Sequence, residues 1–282
     1  MRASCFRTLC VTTCLAVSSV WGQEPSELSD IEPPPILDTD SLPTLPDVIV
    51  PGRPNPFPTN PLSEDTLVTP SRTETLRSQT GSSVTVITGE QIRQSRQSSV
   101  LDVLKGVVGV DVVQASTPGS VTSVFMRGAN SEHTKVLLDG IPLNNPANPT
   151  RAFDFGTLTV DNIERIEIVR GPQSIVYGSD AIGGVINIIT KRGEGPMSAA
   201  VSGMGGSFGT HEERVSVSGG NDSHYYSFGG SYRQSDGFSA LSRRFGGVEN
   251  DGYRNASLSG RYGWNPTETL NVDYVFRYTD AD

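Results

Sequence analysis

The sequence IERIEIVRGPQSIVYGSDAIGGVINIITKR, residues Ile163–Arg192, decides the fold class of this chain. Glu164–Arg170 alternates between apolar and polar side chains, which predicts a β-strand. Gln173–Tyr177 has room for one helical turn after a Gly-Pro break. Gly183-Gly184 then precedes the β-branched run Val185–Ile189, which predicts a buried second strand. The stretch is therefore predicted to fold as strand, helical turn and strand.

This stretch also resembles the end of the plug domain of TonB-dependent outer-membrane receptors, in the pattern E-x-x-R-G-P-x-S-x-x-Y-G-x-x-A-x-G-G-V-I-N-I-I-T. The matching residues are Glu167, Arg170, Gly171, Pro172, Ser174, Tyr177, Gly178, Ala181, Gly183, Gly184, Val185, Ile186, Asn187, Ile188, Ile189 and Thr190. Arg127-Gly128 and Leu138-Asp139-Gly140 match the plug pattern as well. Within this family the pattern is most similar to that of cobalamin and siderophore receptors.

The resemblance implies transport and not catalysis. It implies an outer-membrane receptor that binds a scarce large nutrient, either siderophore-bound iron or a corrinoid, and imports it when TonB rearranges the plug. The implied partners are TonB, outer-membrane lipid and the metal chelate or corrinoid, with no resident cofactor. The alternative is a periplasmic or secreted plug-like module that binds its ligand without transporting it.

The first 22 residues predict an exported protein. Arg2 and Arg7 precede the mostly apolar stretch Leu9–Val20, and small residues follow near Gly22, as in a signal peptide. The chain's three cysteines, Cys5, Cys10 and Cys14, all lie in this segment. Cleavage after Gly22 would therefore leave no disulfide and no thiolate ligand, whereas lipoprotein processing at Cys14 is the alternative.

The net charge argues against nucleic acid as a partner. The whole chain has a formal net charge of -9, and removal of residues 1–22 leaves 20 basic and 31 acidic residues. Binding to the many phosphates of a nucleic acid requires large clusters of lysine and arginine, which an acidic chain of this composition does not favour. The three histidines, His133, His211 and His224, do not have the spacing of a zinc site.

Residues 23–63 predict a disordered linker, because they contain 11 of the 19 prolines and no apolar periodicity. The segment after it resembles a TonB box, formed by Asp65, Thr66, Leu67, Val68 and Thr69. Such a segment would bind by adding its backbone to an exposed sheet edge of the partner. Residues 47–50 are a second candidate for the same role.

Residues 64–193 are predicted to form the α+β plug domain. A strand at Ser83–Thr88 is followed by a capping-box helix that ends near Arg96. Ser99 begins a second helix, with apolar residues spaced to Val107. Further strands are predicted at Val110–Gln114, Val121–Met126 and Lys135–Asp139.

Two arginines and two loops are candidates for function in this domain. The resemblance implies that Arg127 and Arg170 hold the plug against carboxylates of the barrel, which we expect beyond Asp282. A local pair of Arg170 with Glu167 is the alternative. Position between strands makes two loops candidates for ligand contact, through Thr117, Ser120, Asn144, Asn145 and Asn148.

Residues 194–282 are predicted to be a partial transmembrane β-barrel of about five antiparallel strands. Segments of alternating apolar and polar residues are separated by turns, and His224–Gln234 and Arg254–Trp264 show this most clearly. Trp264, beside a short turn, is predicted in the inner aromatic girdle. Because the receptors of the family have about 22 strands, we expect the chain to be truncated or a fragment.

A calcium site is predicted in the long loop of this region. Glu249, Asn250 and Asp251 offer oxygen ligands of the kind that calcium prefers. The resemblance supports the prediction, since cobalamin receptors have acidic calcium sites in their outer loops. A solvated acidic turn is the alternative.

Overall fold

A computed structural model describes residues 66–67, 69, 75–76, 79–144, 150–241, 249–267 and 270–282. The predicted signal peptide, most of the linker and the alternative TonB box at 47–50 lie outside these residues. Within these ranges, no helix has both the length and the apolar character needed to cross a membrane.

The first part of the chain is an α+β domain with one central sheet. Its elements are β1 (Thr66–Leu67), β2 (Thr75–Leu76), β3 (Ser83–Thr88), α1 (Gly89–Ser95), α2 (Val100–Leu104), β4 (Val110–Gln114), β5 (Thr122–Met126), β6 (Thr134–Leu138), β7 (Ile141–Pro142), β8 (Ile163–Arg170), α3 (Ser174–Tyr177) and β9 (Gly184–Thr190). The central sheet, here the first sheet, has the strand order β3-β8-β9-β6-β7. Strands β6 and β9 pair in parallel, and the other neighbours are antiparallel.

Local sequence signals set the two predicted helices. Thr88 caps α1 with a full capping box, since its hydroxyl accepts from the Gln91 amide and the Gln91 side chain accepts from the Thr88 amide. Helix α2 is shorter than its apolar pattern predicts and ends at Leu104. Val107 still reaches the core, because a turn in which its amide donates to Leu104 O, at 3.0 Å, brings it there.

Strand β8 differs from the sequence prediction in one respect. Its alternation predicted one apolar face and one polar face, but Ile166, Ile168, Glu167 and Val169 are all fully buried. The reason is that β8 lies inside the sheet with both faces covered. The helices and their core cover one face, and a smaller cluster around Tyr177 lies on the other.

The second part is a five-stranded antiparallel sheet, here the second sheet. Its strands follow the order of the sequence: β10 (Ser198–Gly205), β11 (His211–Gly220), β12 (His224–Phe238), β13 (Asp251–Thr267) and β14 (Leu270–Ala281). Ser227 faces Arg261 and Tyr226 faces Tyr262 across β12 and β13. The predicted separation of polar and apolar faces is therefore confirmed, and the polar face packs on the α+β domain.

Candidate functional site

The predicted TonB box ends in a buried set of hydrogen bonds. The amide and hydroxyl of Thr69 both donate to Glu167 Oε2, at 2.8 and 2.6 Å. Asn187 Nδ2 donates to the Thr69 hydroxyl at 3.2 Å, and the Tyr177 hydroxyl donates to the Thr69 carbonyl at 2.7 Å. We call these four residues the Thr69 anchor. It holds the start of the described chain against the second face of the first sheet.

An ion pair supports the Thr69 anchor. Glu167 is fully buried, and Arg165 Nε lies 2.8 Å from its Oε1. A buried carboxylate requires such a partner, because an uncompensated buried charge costs several kcal/mol. The ion pair that the structure shows for Glu167 is thus with Arg165, whereas the alternative sequence interpretation paired Glu167 with Arg170.

The residues of the Thr69 anchor are recognisable in the sequence, but their contact with one another is not. Glu167, Tyr177 and Asn187 belong to the motif that carried the resemblance, and Thr69 to the predicted TonB box. Leu67 is also fully buried and pairs with Thr75 across β1 and β2. Asp65 and Val68 lie outside the described residues, so the structure does not locate the whole predicted box.

A second buried set of contacts joins the α+β domain to the second sheet. Arg261 on β13 is 7% exposed and binds the Asp273 carboxylate through two nitrogens, at 3.1 and 2.8 Å. Its Nη1 also lies 3.3 Å from Asp139 Oδ1 and 3.3 Å from the Thr190 carbonyl. Asp139 in turn accepts from the Thr190 amide at 3.0 Å and its hydroxyl at 2.7 Å. These four residues form the Arg261 junction.

Short polar contacts extend this interface along the second sheet. Ser98 donates to Glu212 on β11 at 2.5 Å. Asn255 donates to the Thr157 carbonyl at 3.1 Å. Further contacts pair Asp161 with Ser231 and Ser257, Asn162 with Ser227, and Arg277 with Thr159. The two parts of the chain therefore meet mainly through hydrogen bonds, with Val275 of β14 also packed against the apolar core of the α+β domain.

The Arg261 junction reverses the charges that the sequence suggested. Across the interface, the second sheet supplies the arginine and the α+β domain supplies the carboxylate of Asp139. Arg127 is exposed, at a left-handed φ of 51°, and its guanidinium lies against Gly171. Arg170 donates to Ser83 Oγ at 3.2 Å and to the Val108 carbonyl at 2.7 Å. Contact of these two arginines with barrel carboxylates beyond the chain stays a prediction.

The candidate ligand residues fall into different environments. Asn144 is buried, and its amide holds the backbone: Oδ1 accepts from Val136 N at 2.9 Å, and Nδ2 donates to the Arg151 carbonyl at 3.0 Å. Thr117 and Ser120 are half-buried in the loop between β4 and β5, where the Ser120 hydroxyl accepts from the Ser116 amide. Asn145 and Asn148 lie outside the described residues. Ligand contact by this set stays a prediction.

Gly119 connects that loop to the second sheet. It has φ +86°, and a Cβ at this position would overlap the Tyr253 ring. Tyr253 is 8% exposed and lies near the start of β13, just after the long connection from β12. The close approach requires glycine and places the predicted ligand loop directly beneath the base of that connection.

We expect Gly119→Ala to lower the free energy of unfolding by about 1–3 kcal/mol, because the added methyl displaces either the loop or the ring. Urea unfolding in detergent measures it. Gly128→Ala is the matched control, since Gly128 has a similar φ of +76° but no atom within 4 Å of the place that a methyl group would occupy. Equal losses in both variants would show that backbone strain, and not the Tyr253 contact, requires glycine at position 119.

The predicted calcium ligands have no metal cluster around them in the described chain. Within the residues that the structure places, no group of three or more His, Cys, Asp or Glu side chains could hold a metal ion. Asp251 Oδ2 instead accepts from the Ala240 amide at 2.6 Å. Calcium binding by Glu249, Asn250 and Asp251 stays a prediction.

Comparison with known proteins agrees with this architecture. The family described as "TonB-dependent Receptor Plug Domain" matches residues 77–185. The siderophore receptor PirA from Acinetobacter baumannii is 27% identical with a TM-score of 0.54, covering 70% of this chain and 31% of its own. PirA from Pseudomonas aeruginosa is 28% identical with a TM-score of 0.51, covering 72% and 36%.

A more distant structure shows the same fold. The ferripyoverdine receptor of the Pseudomonas aeruginosa outer membrane is 18% identical with a TM-score of 0.63, covering 77% of this chain and 27% of its own. The chain thus spans about a third of the length of the solved structures it matches. Residues 77–185 match the plug domain and pack on antiparallel strands as in those structures, so the architecture of the described chain is similar to the N-terminal part of TonB-dependent receptors.

Proposed function

We propose that this chain is the plug and the first wall strands of an outer-membrane receptor that binds a ferric siderophore. Uptake would follow when TonB pulls on residues 65–69 and rearranges the plug. The observation that carries this proposal is the packing of the plug on one face of the second sheet. That face is polar and hydrogen-bonded to the plug, as expected for the inner surface of a barrel that surrounds a plug.

The opposite face of the second sheet supports insertion into a membrane. Leu258, Tyr262, Trp264 and Tyr274 point away from the plug and are each more than a third exposed. An apolar outer face with aromatic residues near a short turn is typical of transmembrane barrel strands. The His224 ring stacks on Trp264 beside that turn, which supports the predicted girdle position.

The Thr69 anchor supports a pulling mechanism. A partner that adds a strand to residues 65–69 needs their backbone, but Thr69 N–H and C=O are both engaged inside the plug. Binding of TonB therefore competes with the anchor. In this proposal, force on the segment is transmitted through Glu167 and Asn187 directly to β8 and β9, two neighbouring inner strands of the first sheet.

Siderophore-bound iron is the preferred substrate class because the similar structures described above are siderophore receptors. A corrinoid is the second class that the sequence suggested, and no contact in the described chain favours it. The candidate ligand loop beside Gly119 faces the same end of the second sheet as the long outer connection, which suits binding from outside the cell.

Radiolabelled uptake tests this proposal. The protein, expressed from its natural reading frame in a host without other siderophore receptors, should support uptake of at least one ferric siderophore, and uptake should fall to background in an otherwise identical host without TonB. Equal uptake in both hosts would contradict the TonB-dependent mechanism. Uptake of cobalamin with no response to any ferric siderophore would contradict the substrate class but leave the receptor function intact.

A further inference from the structure

A small cavity lies where the plug meets the second sheet, between α1, the chain just after β9, and β11. Its volume is about 70 Å³. Three cationic side chains, Arg93, Lys191 and Arg214, are among the residues that line it, and the described lining contains no aspartate or glutamate. Each cation comes from a different element, and the charge of Arg93 disfavours the Lys191 ammonium.

The two arginines have carboxylate partners elsewhere. Arg93 pairs with Glu90 on the exposed surface of α1, and Arg214 pairs with Glu212 on its own strand. A guanidinium carries five N–H donors, so each arginine retains donors for a further ligand. Arg214 uses one of these on the Gln97 carbonyl, at 3.3 Å.

Lys191 is the cation without a partner. It is half-buried and forms no ion pair with any carboxylate that the structure describes. The carboxylate of the nearby Glu164 already has two partners: it accepts from Arg165 Nη1 at 3.2 Å and from the Arg192 amide at 3.3 Å. An ammonium group removed from water without a compensating charge is unfavourable, and its three donors need acceptors.

The electrostatics of Lys191 favour an anion beside it. Burial, and then the neighbouring charge of Arg93, lower the pKa of the Lys191 ammonium, while Glu164 and Glu90 act in the opposite direction. The lowering means that burial and the like charge outweigh the two carboxylates. An anion in the cavity would supply the charge that is lacking.

We propose that this cavity binds a small oxyanion of the phosphate or sulfate class, held by Lys191 with Arg93 and Arg214. The volume is roughly that of two waters at ~30 Å³ each, which suits a compact ion and excludes a nucleotide or a sugar phosphate. Charge-assisted hydrogen bonds from lysine and arginine are the usual ligands of such ions. Because Arg93 is exposed, the ion has a path from solvent.

The bound oxyanion would join the plug to the second sheet. It would bridge α1, the end of the plug and β11, and offset the repulsion between Arg93 and Lys191. This inference is independent of the transported substrate and of TonB, so it stands or falls separately from the proposed function.

The test is the thermal unfolding of the detergent-solubilised full chain in increasing inorganic phosphate, with chloride used to keep ionic strength constant. We expect a saturable rise in unfolding temperature, as for any ligand that binds only the folded state. Lys191→Gln should weaken the apparent affinity roughly tenfold or more, because it removes a charged donor. Lys105→Gln is the matched control, since Lys105 is an exposed lysine paired with Asp102 on α2.

Equilibrium dialysis with labelled phosphate gives a second measurement that needs only the unsubstituted chain, in case Lys191→Gln does not fold. One phosphate bound per chain, displaced by sulfate but not by chloride, would support the site. The absence of saturable binding, or the same affinity in Lys191→Gln as in Lys105→Gln, would overturn the proposal.

Discussion

Replacement of Arg261 by methionine should lower the free energy of unfolding by about 3–5 kcal/mol, because Asp139 loses its cation in a buried interface and Asp273 keeps only the more distant Arg192. Asp273 and Asp139 are 19% and 11% exposed, so water replaces the guanidinium only poorly. The Thr190 carbonyl loses a donor as well. Urea unfolding in detergent, followed by circular dichroism, measures the change.

The same strand supplies a matched control for this variant. Arg254 is exposed on the other face of β13 and lies seven residues earlier, so Arg254→Met removes the same atoms without leaving a buried charge. We expect that control to change the free energy of unfolding by less than about 0.5 kcal/mol. If Arg261→Met were equally mild, the junction would contribute nothing to the seating of the plug.

Glu167→Gln should release the Thr69 anchor. A glutamine cannot accept from Thr69 and also compensate Arg165, so Arg165 keeps its ion pair with Glu164 but loses the shorter one, and the Thr69 donors lose their carboxylate. A loss of about 3 kcal/mol would raise the open fraction of the segment by roughly 100-fold. The expected result is therefore exposure of residues 66–69 while the plug stays folded.

Thiol modification measures this release directly, since the chain has no cysteine after Cys14. Leu67→Cys places a thiol at a fully buried position. We expect this thiol to be modified much faster when Glu167→Gln is added to the Leu67→Cys variant. Glu164→Gln is the control, because Glu164 lies on the same strand and also contacts Arg165 but is 25% exposed. Equal rates with both substitutions would contradict a specific role for Glu167.

Local signals predicted most of the elements. The capping box at Thr88, the alternation in β12 and β13 and the Gly-rich turn before β9 are short-range patterns, and the structure has the predicted element at each. Helix α2 was predicted too long. The apolar spacing continues to Val107, but a turn after Leu104, and not a further helical turn, brings Val107 into the core. Periodicity reports which residues are buried, but not which backbone conformation buries them.

The candidate sites were less predictable. Glu167 was visible as part of a motif, yet alternation placed it on a polar face, and its burial followed only from the strands and segments around β8. Arg261 looked like one of several polar residues along a strand. Alternation places Arg261 and Arg254 on different faces of β13, but only the position of Asp139 on the facing plug shows that Arg261 has a carboxylate partner there.

The sequence by itself determined the resemblance to the plug domain and the sheet faces of this protein, because motif residues and a two-residue period are local properties of the chain. The tertiary structure alone decided which polar residues meet. Thr69 and Glu167 are 98 residues apart, and Arg261 and Asp139 are 122 residues apart. Such pairs form only after the sheets have packed, since burial then makes each charge require a partner that the finished fold has brought within reach.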